Sequence, residues 1–253
     1  MNRDTFQPGP ASRAAVAAGL ALMAGGPAAA QDSGDWVWQV TPYVWATSVS
    51  GDITPFTGAP ALSFDSSFSE VLEDLDAAFF LSGYARRDRF VLLGDLSYSK
   101  SSRDGLVPPG APASGELEQI SLTLAAGHRV IEEPRVAVDV LGGVRLWRIK
   151  GKVDVPLAGV SVSPSKSFTD PILAVRANLS LAPGWSAILY GDFGGLGIGS
   201  DQTSQVLATV NYQVSDRVFL SAGYRTLSVD FSEGGTRIDA TMKGPLLGAT
   251  WRF

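Results

Sequence analysis

From Leu247 to Phe253 the chain alternates: Leu247, Ala249, Trp251 and Phe253 fall on one side, and Gly248, Thr250 and Arg252 on the other. A two-residue period puts successive side chains on opposite faces of a strand, whereas the apolar positions of a helix recur every three or four residues. The pattern repeats along the chain. Val206, Ala208, Val210, Tyr212 and Val214 oppose Leu207, Thr209, Asn211 and Gln213. Pro171, Leu173, Val175, Ala177 and Leu179 oppose Ile172, Ala174, Arg176, Asn178 and Ser180. Ten segments read this way: 36–50, 77–87, 90–101, 116–130, 135–150, 168–181, 185–195, 203–214, 218–231 and 239–253. Most reach the roughly 9–11 residues that a tilted strand needs to cross a bilayer.

The connections between these segments are sorted by length. Long ones at 51–76, 102–115, 151–167, 196–202 and 232–237 alternate with short ones such as Arg87-Asp88-Arg89, Ala182-Pro183-Gly184 and Ser215-Asp216-Arg217. Long loops on one rim and tight turns on the other are the layout of an outer-membrane barrel. The expected fold is all-β: a single antiparallel transmembrane β-barrel of about ten strands, with short periplasmic turns and long extracellular loops. Eight or twelve strands are the alternatives if a hairpin has been merged or split. An even count places both ends on the periplasmic side.

The charges decide which face points where. One face of most segments is apolar and uncharged, while the other carries Arg86, Asp95, Arg129, Asp139, Arg145, Arg176, Asp192 and Arg225. In a small soluble barrel the apolar face would point inward and these eight groups would meet bulk water. In a membrane barrel they line the lumen, where they pair or meet trapped water. The aromatics favour the second arrangement. Trp36, Trp38, Phe90, Trp185, Tyr212, Tyr224, Trp251 and Phe253 lie mostly at strand ends beside the short turns, where amphipathic rings suit a membrane interface.

Composition removes several functions. The net charge of −5 argues against a nucleic-acid partner, which selects a basic surface. Without cysteine there is no disulfide framework, thiolate nucleophile or cysteine zinc site, and one histidine excludes multi-histidine metal sites. No cofactor is expected. Residues Met1–Ala30 read as a cleaved secretory leader. Arg3 and Arg13 give a positive front, a short apolar run follows, and small residues occupy the −3 and −1 positions before Gln31. The barrel domain is then 31–253, exported to the bacterial outer membrane.

The terminal Trp251-Arg252-Phe253, with its final aromatic, resembles the C-terminal strand signal of Gram-negative outer-membrane proteins. The stretch Trp38-Gln39-Val40-Thr41-Pro42-Tyr43-Val44-Trp45, then Gly51-Asp52 and 68–75, resembles a largely uncharacterised group of proteobacterial outer-membrane barrels of similar length. The first resemblance implies that Trp251 and Phe253 act as an assembly signal read by the barrel-assembly machinery. The second covers about the first third of the chain after the leader and brings no catalytic residues with it. Outer-membrane lipids and a small solute are the other partners expected.

Four features are candidate sites. The inward charges read either as a selectivity constriction or ligand site, or as paired ions plugging a narrow interior; the plug is the preferred reading, because ten strands enclose little space. Inward Tyr43, Trp45, Phe80, Tyr84, Leu141, Trp147 and Tyr190 narrow it further. His128 could serve as a general base, but the parity of its strand turns it toward lipid near the periplasmic end. Outer-membrane hydrolases that pair histidine with Ser or Asp mostly work at the opposite rim. Residues 66–76 read as a short helix capped by Ser67 or Ser69, packed on the rim, or else a lid or partner site; its acids lack the spacing of a dedicated calcium loop. Gly194-Gly195-Leu196-Gly197-Ile198-Gly199 lacks the Lys-Ser/Thr pair of a phosphate loop. The expected function is a non-enzymatic barrel, structural or a narrow channel for small solutes. The alternatives are an outer-membrane hydrolase acting on lipid or peptide, or an adhesin using the first long loop.

Overall fold

The computed structural model describes residues 35–54, 57–58, 61–107, 111–163 and 165–253. The expected leader lies outside them. Among the described residues the strands are β1 (Val37–Trp45), β2 (Ser48–Thr54), β3 (Leu62–Ser66), β4 (Leu75–Arg87), β5 (Phe90–Val107), β6 (Ala111–Glu132), β7 (Val136–Val155), β8 (Val160–Val162), β9 (Ser165–Ala182), β10 (Trp185–Gly195), β11 (Gln202–Gln213), β12 (Val218–Glu233) and β13 (Thr236–Arg252). Helix α1 spans Phe68–Glu73. Every pairing is antiparallel. Ten strands, β1, β4 to β7 and β9 to β13, follow one another around a barrel that closes where β1 pairs with β13. Trp38 and Phe253 exchange backbone hydrogen bonds of 3.2 and 2.9 Å at that seam. Closure gives each of these ten strands a neighbour on both sides, which is the condition for a sheet in hydrocarbon.

The alternation sorts as expected. Leu173, Val206 and Leu247 are 72%, 63% and 67% exposed on the outside, while Asp139 and Arg145 are fully buried on the inside. Apolar side chains thus face lipid and ions face the axis. At the short-turn end Trp36 packs on Trp38 and Phe90, and Trp185 on Tyr212, with ring centroids 4.8–6.1 Å apart. His128 belongs to this girdle: it is exposed on the outer face and meets the Phe90 ring edge-on at 5.8 Å.

The segment read as one strand over 36–50 is interrupted. Both β1 and β2 follow β13 in a single register, from Gln39 opposite Arg252 to Thr54 opposite Arg237. The ladder is broken at Ala46–Thr47, opposite Gly244–Pro245. Pro245 has no N–H to give, and a Cβ on Gly244 would sit 1.8 Å from the Ala46 carbonyl oxygen, so only glycine admits the close approach. Beyond Tyr43 the first strand leaves β4, and β2 takes β3 as its other neighbour.

Two connections read as loops are largely strand. The β5–β6 ladder continues to Val107 opposite Ala111, and β7 continues to Val155 and pairs with β8. The 11 residues of β10 suffice to span a membrane, so the 18, 22 and 20 residues of β5, β6 and β7 project beyond it on the long-loop side.

Candidate functional site: the charged lumen

The inward positions of adjacent strands bring the eight anticipated charges into three separate groups. Nearest the short turns, Asp139 on β7 accepts from Arg129 Nε on β6 (2.8 Å), from the Tyr84 hydroxyl on β4 (3.0 Å) and from Arg176 Nη1 on β9 (3.4 Å). Arg86 stands at the rim of this group, half-exposed, 3.4 Å from Glu132, which also meets Arg129 at 3.4 Å. The second group links β7 to β10 over β9. Arg145 on β7 grips Asp192 on β10 through Nη2–Oδ2 (2.6 Å) and Nη1–Oδ1 (3.0 Å), and donates further to Thr123 (3.0 Å) and Thr203 (3.1 Å). Tyr190 donates to the same carboxylate at 2.7 Å. In the third group Arg225 on β12 lies 2.9 Å from Asp95 on β5 and donates to Gln205 Oε1 and to the Tyr43 hydroxyl, which donates in turn to Asp95 at 2.9 Å. The Arg225 guanidinium stacks on Trp45, 4.6 Å from the ring centre. For Arg145 and Arg225, charge-assisted bonds and engaged donors are what make the ions tolerable out of water.

Two carboxylates escape the initial list. Asp170 on β9 is fully buried and accepts from Trp147 Nε1 (3.1 Å) and from the Ser200 backbone N–H (2.6 Å). It shares the inward face of Arg176, six residues on, so extending the strand's parity toward its start reveals it. Glu132 sits where β6 reaches the turn, and a period-two count does not register it. With both included, five carboxylates face the interior, against Arg86, Arg129, Arg145, Arg176, Arg225 and, at the short-turn end of β13, Arg252.

Above these groups, toward the long loops, the lumen is apolar. Trp45, Trp147, Leu227, Val229, Phe231, Ile238, Met242 and Leu246 are buried together, with Tyr43, Phe80 and Phe168 against them. Phe168 stacks between Trp147 (6.0 Å) and Phe231 (4.4 Å). The stack joins β9 to β12, three places along the wall, and Trp45 of β1 and Phe80 of β4 meet the same set from the other side of the lumen. A second buried set, Val91, Ala125, Leu141, Ala174 and Tyr190, lies deeper. The inward aromatics anticipated from the sequence all belong to these layers. Toward the short turns there remains a cavity of about 110 Å³, walled by hydroxyl and amide side chains, by Arg176, Arg225 and Asp95, and by the apolar Leu93, Ile188, Leu207 and Leu246.

The other candidates are structurally plain. His128 points outward, and among the described residues no serine or aspartate bonds to it. In α1, Ser67 caps the helix: its hydroxyl (2.7 Å) and its backbone N–H (2.8 Å) both donate to the Glu70 carboxylate, and the hydroxyl oxygen accepts from the Glu70 backbone N–H. This bonding holds the Glu70 carboxyl below the usual carboxylate range. The helix packs on β2 and β3 and buries none of its residues. Gly195 and Gly197 turn the β10–β11 connection with φ of 87° and 74°. Among the described residues no cluster of three or more acids or histidines is placed to hold a metal.

No protein-family profile matches the sequence, and neither does any curated protein. Solved structures do match in fold. The outer-membrane protease OmpT of Escherichia coli superposes with a TM-score of 0.54 at 10% identity, covering 89% of this chain and 99% of that one. The translocator domain of the autotransporter NalP from Neisseria meningitidis matches at 0.49 and 13%, covering 88% and 90%. Ail of Yersinia pestis matches at 0.38 and 11%, covering 86% and 98%. Likeness at these identities is a likeness of fold.

Proposed function

We propose that this barrel, whose fold is that of Gram-negative outer-membrane proteins, is non-enzymatic and closed to solute flow, a structural element of the outer membrane. Its leader exports it, and the barrel-assembly machinery inserts it among outer-membrane lipids by reading Trp251 and Phe253. The observation carrying this reading is the apolar layer across the lumen, anchored by Trp147, Phe168 and Phe231. A hydrated ion gains nothing there in exchange for its water. The bonded ion groups beneath it fill much of the remaining lumen, and the cavity left toward the short turns is blind at the apolar layer.

OmpT is a protease, but the one histidine of this chain lies on the lipid face at the end away from the long loops. That placement supports the non-enzymatic reading over hydrolysis built on a histidine base. Planar-bilayer recording of the refolded protein tests the proposal. A silent bilayer is expected. Steady ion-selective openings, altered by substituting Arg145 or Arg176, would instead establish a narrow conduit.

A further inference from the structure

We propose that the cavity in the short-turn half of the lumen binds a small monoanionic solute bearing a carboxylate, anchored on Arg176. The inference goes beyond the closed-barrel reading: it concerns a blind pocket, and it stands whether or not the apolar layer above ever opens.

The space suits a small solute. At about 10–15 Å³ for each enclosed water, a cavity of about 110 Å³ holds on the order of eight waters or one molecule of comparable bulk. Its wall toward the short turns is formed by Gln39, Thr41, Ser221 and Thr250, all half-exposed, so the pocket opens at that end. The apolar residues Leu246 and Leu207 bound it and join the layer above.

The wall offers unused donors. The side chains of Gln39 and Ser221 make no hydrogen bond within the described residues. Thr209 and Asn211 face the same space but are already engaged, Thr209 donating to Asn211 at 3.2 Å and Asn211 to the Ser186 carbonyl at 3.4 Å. Polar groups that converge on an enclosed volume without protein partners are the usual mark of a ligand pocket.

The charge is positive. Asp95, the carboxylate that faces the cavity, is matched by Arg225 at 2.9 Å and by the Tyr43 hydroxyl. Arg176 is not matched in that way. Its one polar contact is Nη1 to Asp139 at 3.4 Å, and Asp139 already takes Arg129 at 2.8 Å and Tyr84 at 3.0 Å. The group around Asp139 holds three arginines, Arg86, Arg129 and Arg176, against Asp139 and Glu132. Asp170 is held by neutral donors in a different part of the lumen. The guanidinium plane of Arg176 is fixed by stacking on Tyr84, 4.2 Å from the ring centre. Its Nε and Nη2, the edge that grips a carboxylate through two parallel hydrogen bonds, have no partner among the described residues. One excess charge and a two-donor edge select a singly charged planar anion over a cation or a neutral polyol.

The full barrel, refolded in detergent, is titrated calorimetrically with sodium acetate against sodium chloride at equal ionic strength. One-to-one saturable binding is expected, with no binding of methylammonium. Arg176→Gln should weaken it on the order of tenfold or more, since a charge-assisted pair of bonds is lost. Arg148→Gln, which removes the same charge from the outer surface, should leave it unchanged. Ser221→Phe fills the cavity while keeping Arg176 and should also abolish binding; heat-modified gel mobility reports folding of each variant. The proposal is overturned if acetate heats do not saturate, if methylammonium binds as well as acetate, or if folded Ser221→Phe binds like the parent.

Discussion

Replacing Asp192 by Leu would strand Arg145 in the centre of the lumen. Its side chain is fully shielded from solvent, and Asp192 supplies both of its charge-assisted bonds, 2.6 and 3.0 Å long. Thr123 and Thr203 would remain as neutral acceptors. Removing one member of such a pair costs about 3–5 kcal/mol, because the survivor is a buried and uncompensated ion. Arg145→Met should cost about the same, leaving Asp192 with Tyr190 alone among its present donors. The double variant removes both ions and loses only neutral partnerships of roughly 1 kcal/mol each, so it should cost about 1–3 kcal/mol. The coupling in the double-mutant cycle is then at least about 3 kcal/mol. Urea unfolding in lipid vesicles, followed by tryptophan fluorescence, measures all four corners. Single variants that each cost under about 1 kcal/mol and simply add would mean that the pair is hydrated, and the reading of a filled interior would fail.

Further outcomes follow from other parts of the barrel. Phe168→Ala combined with Phe231→Ala should cost about 3–5 kcal/mol per site and introduce ion conductance in planar bilayers; a folded double variant as silent as the parent would place the seal elsewhere. On the inward face of β6, a Cβ on Gly127 would sit 1.9 Å from the Val140 carbonyl oxygen, whereas one on outward Gly142 meets only Leu173 Cδ2 at 3.8 Å. Gly127→Ala should therefore lower the urea midpoint clearly, while Gly142→Ala leaves it unchanged or raises it. The depressed Glu70 carboxyl stabilises α1 above its unfolded value, and that contribution disappears as pH falls through the lower, folded value. Amide exchange at Val71 and Leu72 should accelerate on acidification through that range, and a flat profile would contradict the capping role.

Strand parity is legible in the sequence because the bilayer imposes it: every outward position between the girdles must be apolar, so Leu173, Val175, Val206 and Val210 print a clean period of two. Above the membrane that demand ends. Ser102, Arg103 and Asp104 continue β5 with polar residues on both faces, held by pairs such as Arg103–Asp74 at 2.7 Å, and in the sequence they look like loop. The break between β1 and β2 is decided on β13, by Gly244 and Pro245, about two hundred positions away, and no local pattern near Ala46 reveals it. The inward charges could be listed from parity alone, but their partners could not. Which carboxylate meets Arg145 depends on barrel curvature: Asp170 is its neighbour across the ladder, yet the guanidinium reaches over to Asp192. The apolar layer is hidden for a similar reason. Leu227, Val229 and Phe231 sit on the face that carries Arg225 lower down, so the inner face of a single strand changes character along its length.

The orientation of the two faces is best tested by spin labels on single cysteines, which are unique in a chain that has none of its own. Labels placed at each position from 205 to 210 in β11 should alternate. Membrane-dissolved oxygen should reach 206, 208 and 210 and be excluded from 205, 207 and 209, whose side chains face the interior. Water-borne nickel chelate colliding freely with 206, 208 and 210 in vesicles, or oxygen accessibility without a period of two, would contradict a barrel that turns its valines to lipid and its ions to the axis.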